Sequence, residues 1–179
     1  MNKSYLILGG AKSGKTAYAL RLANAIVDEK SELNQKQKKI YIATAQAHDD
    51  EMQERIENHK KQRANQYWDT LESPVDIVVP IRDASQNAVI LVDCLTLWLS
   101  NLMHHDKNLD EQTQALVSAI HTSRANTIFV SNEVGLGIVP NTKLGRVFRD
   151  AQGHLNQTLA SCVDQVEFIA AGLPLTLKS

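Results

Sequence analysis

Short apolar runs alternate with longer segments in which apolar residues recur every three or four positions along this chain of 179 residues. Runs of this kind suit strands buried on both faces of a parallel sheet. Ser4 to Leu8, Lys39 to Ala43, Ala88 to Val92, Thr127 to Ser131 and Val166 to Ala170 read this way. Ile77 to Val79 reads as a shorter strand after the Pro74 turn, and Leu175 to Leu177 as an added edge strand. Helical spacing predicts a first helix from Lys15 to about Val27, with Ala17, Leu20, Ala23 and Val27 on one face. Further helices are expected near Asp49, over Leu95 to Met103, over Asp110 to Arg124 and over Thr142 to Ser161. In the last of these Leu144, Val147, Phe148, Ala151, Leu155 and Leu159 fall at core spacing. Asp28 to Lys38 reads as a polar surface connection, and Trp68 and Glu72 fall in a loop-like stretch. Strands and helices alternating in this way predict one α/β domain spanning residues 1–179, with a mostly parallel central sheet and flanking helices.

Composition narrows the class. A net charge of −1 offers no global positive field to hold a nucleic-acid backbone, so a nucleic-acid partner is not expected. Cys94 and Cys162 sit in apolar runs without metal-like spacing and read as buried, reduced thiols. The apolar run Tyr5-Leu6-Ile7-Leu8 leads directly into glycines and is too short for a signal peptide. No stretch is long enough to span a bilayer, and a cytoplasmic location is expected.

The strongest chemical signal follows the first strand. Gly9-Gly10-Ala11-Lys12-Ser13-Gly14-Lys15-Thr16 fits the phosphate-loop pattern GxxxxGK[ST] in full, with a buried strand before it and a helix after it. Glycines let the backbone wrap phosphates with its N–H groups pointing inward, and the helix N-terminus adds a favourable dipole. Lys15 is placed to pair with the β- and γ-phosphates and Thr16 to hold Mg²⁺. Asp93, at the end of the buried run Ala88 to Val92, is the candidate acid that organises the same ion; it can also cap the helix that follows. A phosphate loop serves kinases, ATPases, GTPases and motors alike, so it does not define a reaction.

A second signal lies on the charged segment from Asp49 to Arg63. On a helix Arg55, His59 and Arg63 recur every four residues and share a face, with Lys60 adjacent. Neighbouring cations favour the neutral imidazole of His59, the form able to attack phosphorus, and could hold phosphate oxygens as charge develops. A solvated charged helix with a bystander histidine has the same pattern. His48 precedes the helix beside Asp49 and Asp50, and His104, His105, His121 and His154 lack cationic or glycine-rich company. After the run Thr127 to Val130, Glu133 with Gly135 and Gly137 forms either a catalytic loop at a strand's carboxyl end or a structural turn. Arg146, Arg149 and Asp150 read as a solvated face.

Taken in order, these motifs resemble the bifunctional adenosylcobinamide kinase / adenosylcobinamide-phosphate guanylyltransferase family. The resemblance runs through the phosphate loop, Tyr41-Ile42-Ala43-Thr44-Ala45, Asp50-Glu51-Met52, Arg55-Ile56, His59-Lys60, Trp68, Thr70 and Glu72. It continues through Val92-Asp93-Cys94-Leu95-Thr96, Asn132-Glu133-Val134-Gly135, Gly137-Ile138-Val139-Pro140 and Phe148-Arg149-Asp150. It implies phosphorylation of adenosylcobinamide with ATP or GTP, then transfer of GMP from GTP to adenosylcobinamide phosphate through a guanylylated histidine, at the position of His59. It implies GTP contacts at Gly9 to Thr16, at Ala43, Thr44 and Ala45, at Lys60, Lys61, Gln62 and Arg63, and at Glu72 and Asp93. A RecA-like core and a homotrimer are implied as well. The chain departs from the family in having Ala64 where a proline commonly stands and Asn58 where some relatives carry a second histidine. Two other functions remain open on the motifs alone: a different small-metabolite P-loop kinase without a covalent histidine intermediate, and a non-catalytic nucleotide-dependent interaction module.

Overall fold

The computed structural model of the chain describes residues 2–32, 37–47, 53, 54, 57, 61 and 67–179. Seven strands form one sheet: β1 (Ser4–Gly9), β2 (Lys38–Ala43), β3 (Asp69–Glu72), β4 (Ala88–Asp93), β5 (Asn126–Asn132), β6 (Gln165–Ala170) and β7 (Leu173–Lys178). Their spatial order is β3-β2-β4-β5-β1-β6-β7. Every pairing is parallel except that of β7 with β6. The helices that flank the sheet include α1 (Lys15–Glu32), α2 (Val78–Arg82), α3 (Leu95–His104), α4 (Leu109–Thr122) and α5 (Lys143–Cys162).

Alternation along the strands divides the core between the two faces of the sheet. Tyr5, Ile7, Val89, Leu91, Ile128 and Val130 face α1 and pack with its Ala19, Leu20, Ala23 and Ile26. Leu6, Leu8, Ile90, Val92 and Phe129 face the other way, toward Ile81 of α2, Trp98 of α3, Leu116 of α4 and Leu155 of α5. Both faces are covered, so the central strands read as unbroken apolar runs rather than as alternating ones.

Sequence expectations change at several points. Residues 77–79 do not form a strand. Val78–Arg82 is a short helix that places Ile77 and Ile81 on one buried face. Pro80 lacks the N–H a sheet ladder needs but is tolerated in a first helical turn. The loop-like stretch around Glu72 is in fact the edge strand β3, paired with β2 and exposed throughout. It carries no apolar run, so only its partner reveals it. On α1 the buried stripe is Ala19, Leu20, Ala23 and Ile26, whereas Ala17 is exposed. On α5 Leu144 and Val147 are exposed, while Gln152 and Asn156 are buried beside Leu155 and Leu159. Both cysteines are free; Cys94 is buried as expected, and Cys162 is only half-buried.

Candidate active site at the carboxyl ends of the strands

The phosphate loop leaves β1 at Gly9 and enters α1 at Lys15. Gly9 has no room for a side chain: a Cβ there would lie 2.5 Å from Ser13 Oγ and 2.6 Å from the Ile169 carbonyl oxygen. Gly14 adopts φ +95°, and a Cβ would stand 3.1 Å from Gly172 Cα. The loop is thus pressed against the β6–β7 turn, whose Gly172 N–H donates to the Ser13 carbonyl at 2.8 Å. Sequence reasoning misses this bracing by Gly172. The run Ala171-Gly172 before β7 carries only a turn signal, with no hint of what the turn touches.

Inside the loop, the buried ammonium of Lys15 donates to the Gly10 carbonyl at 2.8 Å, which draws the lysine over the loop. Ser13 Oγ is buried with no hydrogen-bond partner among the described residues. Lys12 is exposed at φ 54°, and Thr16 is half-buried at the first turn of α1. A polar hydroxyl left bare in a glycine loop at a helix N-terminus is what an anion-binding cradle presents before its ligand arrives.

The neighbouring strands end at the same level. Ala43 pairs with Glu72 on one side and with Asp93 on the other. Glu72, Ala43 and Asp93 therefore form a row across the sheet edge, with adjacent strands about 4.8 Å apart. Tyr41, 2% exposed, donates its hydroxyl to Asp93 Oδ2 at 2.7 Å. Its ring meets Trp68 edge-on, with centroids 5.9 Å apart, and Lys39 Nζ lies 5.4 Å from the centre of the Trp68 ring. Tyr41 is a supporting residue that its sequence signal, one phenol between two isoleucines of β2, could have disclosed.

Thr44 is fully buried, its hydroxyl accepting from the Cys94 N–H at 2.7 Å and donating to the Cys94 carbonyl at 2.8 Å. Asn101 donates to the Thr44 carbonyl at 2.8 Å and to the Pro74 carbonyl at 2.9 Å. Thr44 thus ties the end of β2 to the start of α3 and fixes the backbone on which Asp93 stands, while Ala45 beside it is half-buried. Burial, with the Asp93 carboxylate adding to it, pushes the Cys94 thiol up to about 11, so this cysteine stays protonated and inert at neutral pH.

The donor set fits magnesium. Asp93 spends Oδ2 on Tyr41 and leaves Oδ1 without a hydrogen-bond donor among the described residues. Mg²⁺ usually takes one or two protein oxygens and completes its shell with water and phosphate. Among the described residues no group of three or more His, Cys, Asp or Glu gathers to hold a metal by protein ligands alone.

The remaining candidates divide. Glu133 N–H donates to the Gly9 carbonyl at 3.0 Å, which brings its loop against the phosphate loop, but its carboxylate accepts from Gly135 N–H within its own turn. Arg149 pairs with Asp150, and Arg146 donates to the carbonyls of Pro140 and Asn141, as a solvated face would. His104, His105, His121 and His154 are exposed on helices or at their ends. Lys61 is helical and exposed. His59, Lys60, Gln62 and Arg63, with His48, lie outside the described residues.

The family model described as cobinamide kinase / cobinamide phosphate guanyltransferase matches residues 5–177. The chain belongs to this family. A Pseudomonas aeruginosa relative named bifunctional adenosylcobalamin biosynthesis protein CobP is 44% identical over 176 residues, covering 97% of this chain and 96% of its own. The Escherichia coli protein named bifunctional adenosylcobalamin biosynthesis protein CobU is 35% identical over 190 residues, covering 97% and 98%. Membership of the cobinamide kinase / cobinamide phosphate guanyltransferase family places the chain among kinases that are also nucleotidyltransferases, and against a non-catalytic module. Solved structures agree on the fold. An ATPase domain of known structure matches with TM-score 0.51 at 14% identity, over 93% of this chain and 69% of that one. A KaiC-like protein from Pyrococcus horikoshii matches with TM-score 0.51 at 12% identity, over 93% and 70%. Both share the P-loop α/β architecture. No helix among the described residues is long and apolar enough to cross a membrane.

Proposed function

We propose that this enzyme phosphorylates adenosylcobinamide with ATP or GTP and then transfers GMP from GTP to the product, giving adenosyl-GDP-cobinamide and pyrophosphate. The observation that carries this reading is the family match over residues 5–177, on a chain whose phosphate loop and Asp93 stand together at one sheet edge.

In the kinase half, Gly9 to Thr16 hold the triphosphate and Lys15 moves from the Gly10 carbonyl to the β- and γ-phosphates. Thr16 and Asp93 would hold Mg²⁺, and Tyr41 donates to the Asp93 carboxylate and so would orient it for this. When bound there, the ion would supply charge neutralisation on the phosphates. The substrate hydroxyl attacks the γ-phosphorus, the bond to the β-phosphate oxygen breaks, and the hydroxyl proton passes to a base. Positioning and charge neutralisation carry most of the catalysis.

In the transferase half, a neutral His59 nitrogen attacks the α-phosphorus of GTP, and the bond to the departing pyrophosphate breaks. An oxygen of adenosylcobinamide phosphate then attacks the same phosphorus. The N–P bond breaks, and His59 is regenerated. Lys60, Lys61, Gln62 and Arg63, with Ala43, Thr44, Ala45 and Glu72, are the proposed guanosine-triphosphate contacts. Two displacements through a covalent intermediate give ping-pong behaviour. The working unit is a homotrimer in the cytoplasm. Its two unpaired cysteines suit a reducing compartment, and recovery in a secreted fraction would count against this.

Incubation with Mg²⁺ and GTP labelled at the α-phosphate should leave an acid-labile, alkali-stable adduct on the denatured protein, and none on His59→Ala. A folded protein that binds GTP yet forms no adduct overturns the guanylyl-histidine step and leaves a P-loop kinase. An adduct that persists in His59→Ala moves the nucleophile elsewhere.

A further inference from the structure

We propose that the side-chain amide of Asn132 donates a hydrogen bond to the terminal phosphate of the bound nucleotide and so lets the site distinguish a triphosphate from a diphosphate. The inference rests on the nucleotide-binding reading of the phosphate loop. β5 lies between β1, which carries that loop, and β4, which carries Asp93. Its last residue, Asn132, pairs with Gly9, while Val130 pairs with Asp93. Asn132 is therefore the last side chain of the strand between the phosphate loop and the candidate magnesium ligand, one pleat repeat beyond the level of Asp93.

The pleat decides which way it faces. Ile128 and Val130 pack on the α1 side, and Phe129 on the other. Ser131 continues the alternation, its hydroxyl donating to Asn156 of α5 at 2.7 Å. Asn132 therefore leaves the sheet on the α1 side, the side to which Asp93 turns to meet Tyr41 and on which the phosphate loop enters α1.

The backbone of Asn132 is held at both groups. Its N–H donates to Thr96 Oγ1 at 2.8 Å, and its carbonyl accepts from Asn156 Nδ2 at 3.1 Å. The next N–H, that of Glu133, donates to the Gly9 carbonyl. The amide side chain, by contrast, is half-buried with no hydrogen-bond partner among the described residues. A rigid backbone presenting an unengaged N–H₂ beside a phosphate cradle is a preorganised donor for an anion. Glu133 cannot take this part, because its carboxylate is anionic and turned onto Gly135.

The test compares Mg²⁺-dependent affinity for GDP and for the β,γ-imido analogue of GTP in the full chain. The parent is His59→Ala, which removes the covalent step, and Asn132→Ala and Asn132→Asp are added to it. Loss of a hydrogen bond to a charged oxygen should weaken the triphosphate analogue by roughly 10- to 100-fold while GDP stays within about twofold. Asn132→Asp, which keeps the shape and adds a like charge, should lose at least as much. Retained GDP affinity shows that each variant is folded. Equal weakening of both nucleotides, or an unchanged triphosphate affinity in both variants, overturns the inference and leaves the phosphate-loop reading intact. A parent that binds neither nucleotide overturns that reading, and the inference with it.

Discussion

At the scale of single residues, the phosphate loop shows how one atom can decide. Gly9 and Gly10 are adjacent and equivalent to any composition count, yet a Cβ at Gly9 would collide with the Ile169 carbonyl, whereas at Gly10 nothing lies within 4 Å. Backbone cannot swing aside as a flexible side chain can. Gly9→Ala is therefore expected to destabilise the nucleotide-free protein by about 1–3 kcal/mol, an overpacking cost, and Gly10→Ala by less than about 0.5 kcal/mol. Thermal melting without nucleotide reads both. Equal melting temperatures for the two variants would show that the loop is not pressed against β6. The same scale explains why Tyr41 sits between Ile40 and Ile42: its ring fills the α1-side core, and its hydroxyl reaches the Asp93 carboxylate.

At the scale of elements, α5 is joined to β5 by buried polar groups rather than by apolar contact alone. Ser131 Oγ donates to Asn156 Oδ1, Gln152 Nε2 donates to both of those oxygens at 3.0 Å, and Asn156 Nδ2 donates to the Asn132 carbonyl. Gln152 is fully buried, and its Oε1 has no partner among the described residues. The members are not equal. Without Gln152 the Ser131–Asn156–Asn132 chain remains closed; without Asn156 the Ser131 hydroxyl loses the oxygen it donates to and the Asn132 carbonyl loses its side-chain donor. Asn156→Leu should thus cost about 2–3 kcal/mol and Gln152→Met less than about 1.5 kcal/mol, read from chemical denaturation midpoints. A larger cost for Gln152→Met would mean that the glutamine, not the asparagine, joins the elements. Asn156 also anchors the residue at the carboxyl end of β5, so its loss should disturb the site as well as the fold.

At the scale of the whole molecule, apolar surface is unevenly distributed. Leu136 and Ile138 are 82% and 96% exposed in the loop before α5, and Leu144 and Val147 follow on the helix itself. On the edge strand, Leu173, Leu175 and Leu177 are each more than half exposed. Exposed apolar surface on this scale marks association sites. It supports the proposed homotrimer, and sedimentation equilibrium should return three times the chain mass. Ile138→Glu with Leu136→Glu should shift the population toward the monomer. A wild-type monomer at micromolar concentration would overturn the trimer.

The sequence by itself determined the alternation of strands and helices, the phosphate loop with the strand and helix that frame it, and Asp93 at the end of a buried run. These are local properties: a continuous apolar run, a helical period and a glycine pattern are complete within a dozen residues. It did not determine β3, an exposed polar segment that becomes a strand by pairing with β2. Nor did it determine the helix at Val78–Arg82, where short apolar segments carry no period long enough to separate helix from strand. The strand order was likewise closed to it, and with it everything the order decides. Asn132 stands beside Gly9, Gly172 supports Ser13, and Tyr41 meets Asp93 only because hydrogen bonding between strands brings together residues separated by about fifty to more than a hundred and fifty positions. The same distance explains why Leu144 and Val147, correctly spaced for a core, lie in the open. Periodicity shows that a helix has an apolar face, and only its neighbours decide how much of that face is covered.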